Sequence, residues 1–96
     1  MSCCEEYHKA FDTLANREIQ LGELPSFLPV RGRLAWYVYR GPYRDLSGAW
    51  DLFWRKFTTK DVKMEGVPGD VYVCNPGCHK EDRQENMLTI LYAQVA

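Results

Sequence analysis

The sequence predicts a two-layer α+β domain in which an antiparallel sheet packs on one long helix. Three observations carry the prediction. Residues 34–39, Leu-Ala-Trp-Tyr-Val-Tyr, are bulky, aromatic or β-branched almost throughout, the composition of a strand covered on both faces. Gly41-Pro42 stops that run and the period changes: Leu46, Ala49, Trp50, Phe53, Trp54 and Phe57 recur at helical spacing. Two further strand-like runs, 71–74 and 87–95, follow the helix, so strand pairing and helix packing fall into separate layers.

Taken in order, residues 4–15 predict a short amphipathic helix. Cys4, Tyr7, Phe11 and Leu14 form a stripe, Glu5, Glu6, Lys9 and Asp12 lie outside it, and Asn16 is the stop. So narrow a stripe needs something to dock on. Glu18 to Leu24 predicts an edge strand, with Ile19 and Leu21 alternating with polar neighbours. Pro25 to Gly32 is a connection, broken by Pro29 and Gly32, whose Phe27, Leu28 and Val30 lie partly against the core.

In the strand at 34–39, a period of two sends Leu34, Trp36 and Val38 to one face and Ala35, Tyr37 and Tyr39 to the other. The helix is predicted over residues 44–57. Pro42 fits its approach, Asp45 its first turn, and Arg55 and Lys56 its last. Thr58 to Pro68 is polar and turn-rich, Val71 to Cys74 a short buried strand, Asn75-Pro76-Gly77 a turn, and His79 to Asn86 an exposed charged loop. Met87 to Val95 is the last strand, with Leu88, Ile90 and Tyr92 on one face and Thr89, Leu91 and Ala93 on the other. The sheet face away from the helix carries large aromatics, so it is expected to be covered, or to form a pocket or an interface.

A chain of 96 residues makes one small domain. A formal net charge of −1 with mixed signs argues against nucleic-acid binding through phosphates, which needs a basic face. No apolar run is long enough to cross a bilayer, and the opening Met-Ser-Cys-Cys-Glu-Glu has no signal-peptide pattern. The expectation is a cytoplasmic protein whose 4 cysteines are reduced.

Cys3, Cys4, His8, Cys74, Cys78 and His79 contain enough ligands for zinc, but the Cys74–Cys78 spacing is not a knuckle pair and adjacent Cys3 and Cys4 ligate one ion poorly. Cys78-His79 as a nucleophile and base lacks any accompanying oxyanion motif. No catalytic residue, metal or cofactor is therefore assigned. The aromatic residues point elsewhere. Trp50 and Phe53 sit mid-stripe and read as core, whereas Trp36, Tyr39, Tyr43, Trp54, Tyr72 and Tyr92 are candidates for a ligand-pocket wall. Such ring faces attract a cation by about 0.5–2 kcal/mol each.

Tyr39-Arg40-Gly41-Pro42-Tyr43, with Trp50 in the following Ala-Trp-Asp helix, resembles the GyrI-like effector-binding family. So do Asp70-Val71-Tyr72-Val73-Cys74-Asn75-Pro76 and the closing Leu88-Thr89-Ile90-Leu91-Tyr92-Ala93-Gln94-Val95. The resemblance covers about residues 33–96. It implies a single strand–helix–strand–strand (SHS2) module there, with residues 1–32 as an added N-terminal helix and edge strand. Family members usually carry two modules around a pseudo-two-fold with a ligand cleft between them. They are sensing ends of AraC- and MerR-type transcription regulators, small gyrase inhibitory proteins, and stand-alone small-molecule-binding or hydrolytic proteins. Their ligands are often hydrophobic cations held among aromatics and a buried glutamate.

The chain departs from that pattern. One module accounts for most of it, which implies either that residues 1–32 are a remnant of the other half or that two chains pair; the expectation is a homodimer. Ile90 stands where the family has its glutamate, Met87 where it has a tryptophan, and Tyr39 where it often has a histidine. Without the acid, Asp70 is the nearest motif-matched carboxylate, though a solvated strand-start residue is its plainer reading. The resemblance thus implies a stand-alone protein that binds a hydrophobic, aromatic or cationic small molecule and is not an enzyme. The alternative is a protein-interaction module that binds gyrase or a regulator.

Overall fold

The structure, a computed structural model, describes residues 9–74 and 87–96. Strands β1 (Gln20–Gly22), β2 (Leu34–Arg40), β3 (Gly69–Cys74) and β4 (Leu88–Gln94) form one antiparallel sheet in the order β1-β2-β4-β3. Between β2 and β3 the chain makes a 3₁₀ turn (Tyr43–Asp45) and then helix α1 (Leu46–Thr58). The α+β class and the antiparallel sheet are thus as the sequence predicts. The helix starts two residues later than expected because the first turn after Pro42 is 3₁₀.

Period two decides what each sheet face carries. On the helix side, Ala35, Tyr37, Leu91, Ala93 and Val95 pack with Ile19 and with Ala49 and Phe53 of α1. Trp50, Trp54 and Phe57 lie against the same cluster. Ala35 and Ala93 are register partners, and two methyl groups side by side leave room for the rings of α1.

On the other face, Leu34, Trp36, Val38, Val73, Leu88 and Ile90 are covered by Phe11, Leu24 and Leu28. The Phe11 ring meets Trp36 edge-on, with centroids 6.2 Å apart. Residues 11–30 therefore close the face that the sequence left needing a cover.

That cover is mostly irregular. Residues 9–11 are helical and 12–16 are turns, so the helix predicted over 4–15 ends earlier, while residues 1–8 lie outside the described residues. Leu14 N–H donates to Phe11 C=O and Ala15 N–H to Asp12 C=O, three-residue spacings that tighten the chain out of α geometry. Asn16 then takes φ 58°, a left-handed conformation that asparagine tolerates. Its backbone N–H donates to Val38 C=O at 2.7 Å. Its side-chain Nδ2 donates to Arg40 C=O at 3.1 Å, and its Oδ1 accepts from Arg40 N–H at 3.0 Å. One side-chain amide thus pairs with a strand backbone as another strand would. The Arg40 guanidinium also pairs with Asp12.

The edge strand predicted over 18–24 reduces to β1, which ends at Gly22 with φ 130°. The turn-rich segment after α1 is tied to the sheet. Glu65 N–H donates to Gln94 C=O, Ala96 N–H to Lys63 C=O, and Met64 bridges Val95. The predicted turn at Asn75-Pro76-Gly77 and the loop at His79–Asn86 lie outside the described residues. Among the described residues, no helix is long and apolar enough to cross a membrane.

Candidate functional site

The exit of β2 and the entry of α1 build a groove. Tyr37 and Tyr39 reach the helix side of the sheet by the period of two, and the chain then reverses at Gly41-Pro42. The Tyr39 hydroxyl donates to Pro42 C=O at 3.0 Å, which fixes the ring against the turn. Gly41 makes that possible: its φ is 157°, and a Cβ there would stand 2.5 Å from the Tyr39 hydroxyl.

Asp45, Gly48, Ala49 and Leu52 then come round on one flank of the helix. With Asn16, Tyr37 and Tyr39 they line an open groove of about 400 Å³. The sheet side is two tyrosines, the helix side is two small residues flanked by Leu52, and Asp45 places a carboxylate at the exposed lip.

The tyrosines feel this setting. Burial pushes the Tyr37 phenol up, with Tyr39 and the Glu18 carboxylate adding to it. Burial likewise raises Tyr39; Asp45 raises it further, and the Arg44 cation opposes.

A second cluster flanks the first. Tyr43 and Tyr72 rings lie 5.1 Å apart, and Tyr72 is half exposed. The Asp70 charge is the main cause that raises the Tyr72 pKa, and the Tyr72 hydroxyl points at that carboxylate at 3.5 Å. Burial, then Tyr72 and Asp70, raise Tyr43. Thr89, the register partner of both Tyr39 and Tyr72, is fully buried. Neither its Oγ1 nor the Tyr43 hydroxyl has a hydrogen-bond partner among the described residues.

The six aromatics proposed as a pocket wall do not share one cavity. Tyr39 lines the groove, and Tyr43 and Tyr72 form the neighbouring pair. Trp54 stacks on Trp50 at 5.8 Å and meets Phe53 and Phe57 edge-on, as part of the helix-side core. Trp36 and Tyr92 belong to the opposite face, where they are register partners. Ile90 is there too, fully buried between Val38 and Val71. An acid at position 90 would sit in an apolar core and not in the groove.

Asn16, Asp45, Gly48, Ala49 and Leu52 carried no sign of a pocket wall in the sequence. A signal of a shared flank existed for four of them, since 45, 48, 49 and 52 fall at helical spacing along the edge of the apolar stripe, which shares Ala49. Nothing in the sequence brings Asn16 to them.

No family model matches the chain, and neither a curated protein nor a solved structure matches it. The resemblance to the GyrI-like family therefore stands on the sequence segments alone.

Proposed function

We propose that this domain binds a small hydrophobic or aromatic molecule in the groove between β2 and α1. The groove itself carries the reading: about 400 Å³, mostly apolar walls, two tyrosine rings and a single carboxylate at the lip. Small-molecule sites have that volume and that ratio of apolar wall to orienting polar groups. Asp45 supplies the negative charge that a glutamate at 90 would give elsewhere, so an organic cation is accommodated. The order β2–α1–β3–β4 is compatible with a GyrI-like SHS2 module, and that assignment and a homodimer belong to the same proposal.

Thermal stability across a panel of hydrophobic cations and neutral aromatics, with mass read by light scattering, tests it. A ligand at 100 times its Kd adds about 2.7 kcal/mol to the folded state. A saturable rise in Tm that Asp45→Asn weakens for cations alone supports the reading. No rise with any compound overturns it and leaves the protein-interaction alternative.

A further inference from the structure

Gly48 is a glycine that neither backbone nor packing requires. It lies in the first turn of α1 outside the left-handed region, and a Cβ there would meet no heavy atom of the described residues within 4 Å. Alanine is the better helix former at such a position. The two residues in the middle of the groove's helical stripe, Gly48 and Ala49, are also its smallest, and the groove sets them with Tyr37 and Tyr39. The sheet side has little room to adjust, because Tyr37 is 1% exposed and the Tyr39 hydroxyl is held by Pro42 C=O. The helix side has no side chain at 48 that could turn away. A side chain at 48 would occupy space that the groove now leaves open.

We infer that Gly48 is the specificity-determining residue of the groove, keeping open a slot that takes a flat aromatic ring system and excludes a bulky, tetrahedrally branched molecule. This rests on the small-molecule reading above and narrows it to planar ligands. A ring entering the slot presents a face or edge to Tyr39, with the buried Tyr37 behind it as the floor. Asp45 at the lip favours a ring that carries a positive charge or an N–H.

The test uses three probes: proflavine (planar, cationic), 2-naphthol (planar, neutral) and tetraphenylphosphonium (bulky, cationic). Each is titrated by fluorescence or calorimetry against the wild type, Gly48→Ala and Gly48→Val. The planar probes are expected to saturate on the wild type with tetraphenylphosphonium at least tenfold weaker. Each added methyl should weaken the planar probes by about ten- to two-hundredfold. Gly48→Ala should meanwhile melt at or above the wild-type temperature, which separates a blocked slot from a damaged fold.

Tetraphenylphosphonium binding as tightly as the planar probes, or alone, overturns the slot while leaving small-molecule binding intact. Unchanged planar binding in Gly48→Val overturns it equally. Binding of none of the three to the wild type removes the slot, and the wider panel then decides the small-molecule reading separately.

Discussion

One face of the sheet is sealed by α1, 13 residues whose backbone bonds close on themselves; the other is sealed by residues 11–30, whose longest ladder is the three-residue β1. Both covers bury a phenylalanine almost completely, Phe53 at 0% exposure and Phe11 at 1%. Their apolar contribution is alike and their means of attachment differ. The helix makes its backbone hydrogen bonds within itself. The irregular cover is pinned at particular points, chiefly Asn16 on β2 and β1 beside it. Apolar burial closes a face with or without regular structure, but a cover held at a few points can open by itself.

The largest expected effect comes from cutting both anchors. Phe53→Ala and Phe11→Ala should each cost about 3–5 kcal/mol in a denaturant titration. Hydrogen exchange should then part them. Phe53→Ala lowers protection throughout β2 and β4, whereas Phe11→Ala first exposes amides of residues 14–22. Uniform loss in both variants would show the two covers to be one cooperative unit.

Next comes the pin. Asn16→Ala loses two hydrogen bonds and forces alanine into a left-handed φ, together about 2–3 kcal/mol. Asn16→Gly keeps the conformation and should recover about 1 kcal/mol of that. Equal losses in the two variants would assign the whole effect to the side-chain bonds.

On the helix side, Thr89→Val removes a buried hydroxyl with no partner among the described residues at nearly constant shape, and should raise stability by about 1 kcal/mol. A loss of stability would mean that the hydroxyl is bonded in solution.

The smallest effect is alkaline. Tyr37, Tyr39, Tyr43 and Tyr72 all have pKa values raised above 10.0, and all sit on the helix side. A phenol whose folded pKa is raised stabilises fully below its unfolded value, and that contribution is lost as pH rises through the folded one. Tm should therefore be insensitive to these groups up to about pH 10 and fall above it, in step with tyrosinate absorbance. Tyr39→Phe should blunt the fall. A decline that begins near neutrality would have to come from other groups.

How much of this was legible follows the same division. Strand β2 and helix α1 could be read because each repeats its pattern for more than one period. The facing of Trp36 against Tyr39 was equally plain, since residues three apart on a strand point oppositely. Grouping them in one wall went against that periodicity, and the sheet separates them.

That Phe11 and Leu28 would dock on the core could be read, but the path of the cover at 11–30 could not, because Phe11, Leu24 and Leu28 follow no single period and are placed by turns. The groove was hidden for another reason. Its helical half is a stripe of unremarkable residues, Asp45, Gly48, Ala49 and Leu52, and its remaining corner, Asn16, arrives through a side-chain amide pairing that has no sequence signature.

Gly41 and Gly69 have a spectroscopic consequence. Each lies against a tyrosine: a Cβ on either would come within 2.5 Å of a phenol oxygen, Tyr39 for Gly41 and Tyr92 for Gly69. Their α-protons therefore sit in the magnetic field of an aromatic ring current, and their resonances should be displaced from ordinary glycine positions. Tyr39 packs on the helix side and Tyr92 on the other, so one glycine reports on each face in a single two-dimensional spectrum. Loss of displacement at one glycine while the other holds would reveal which cover has lifted.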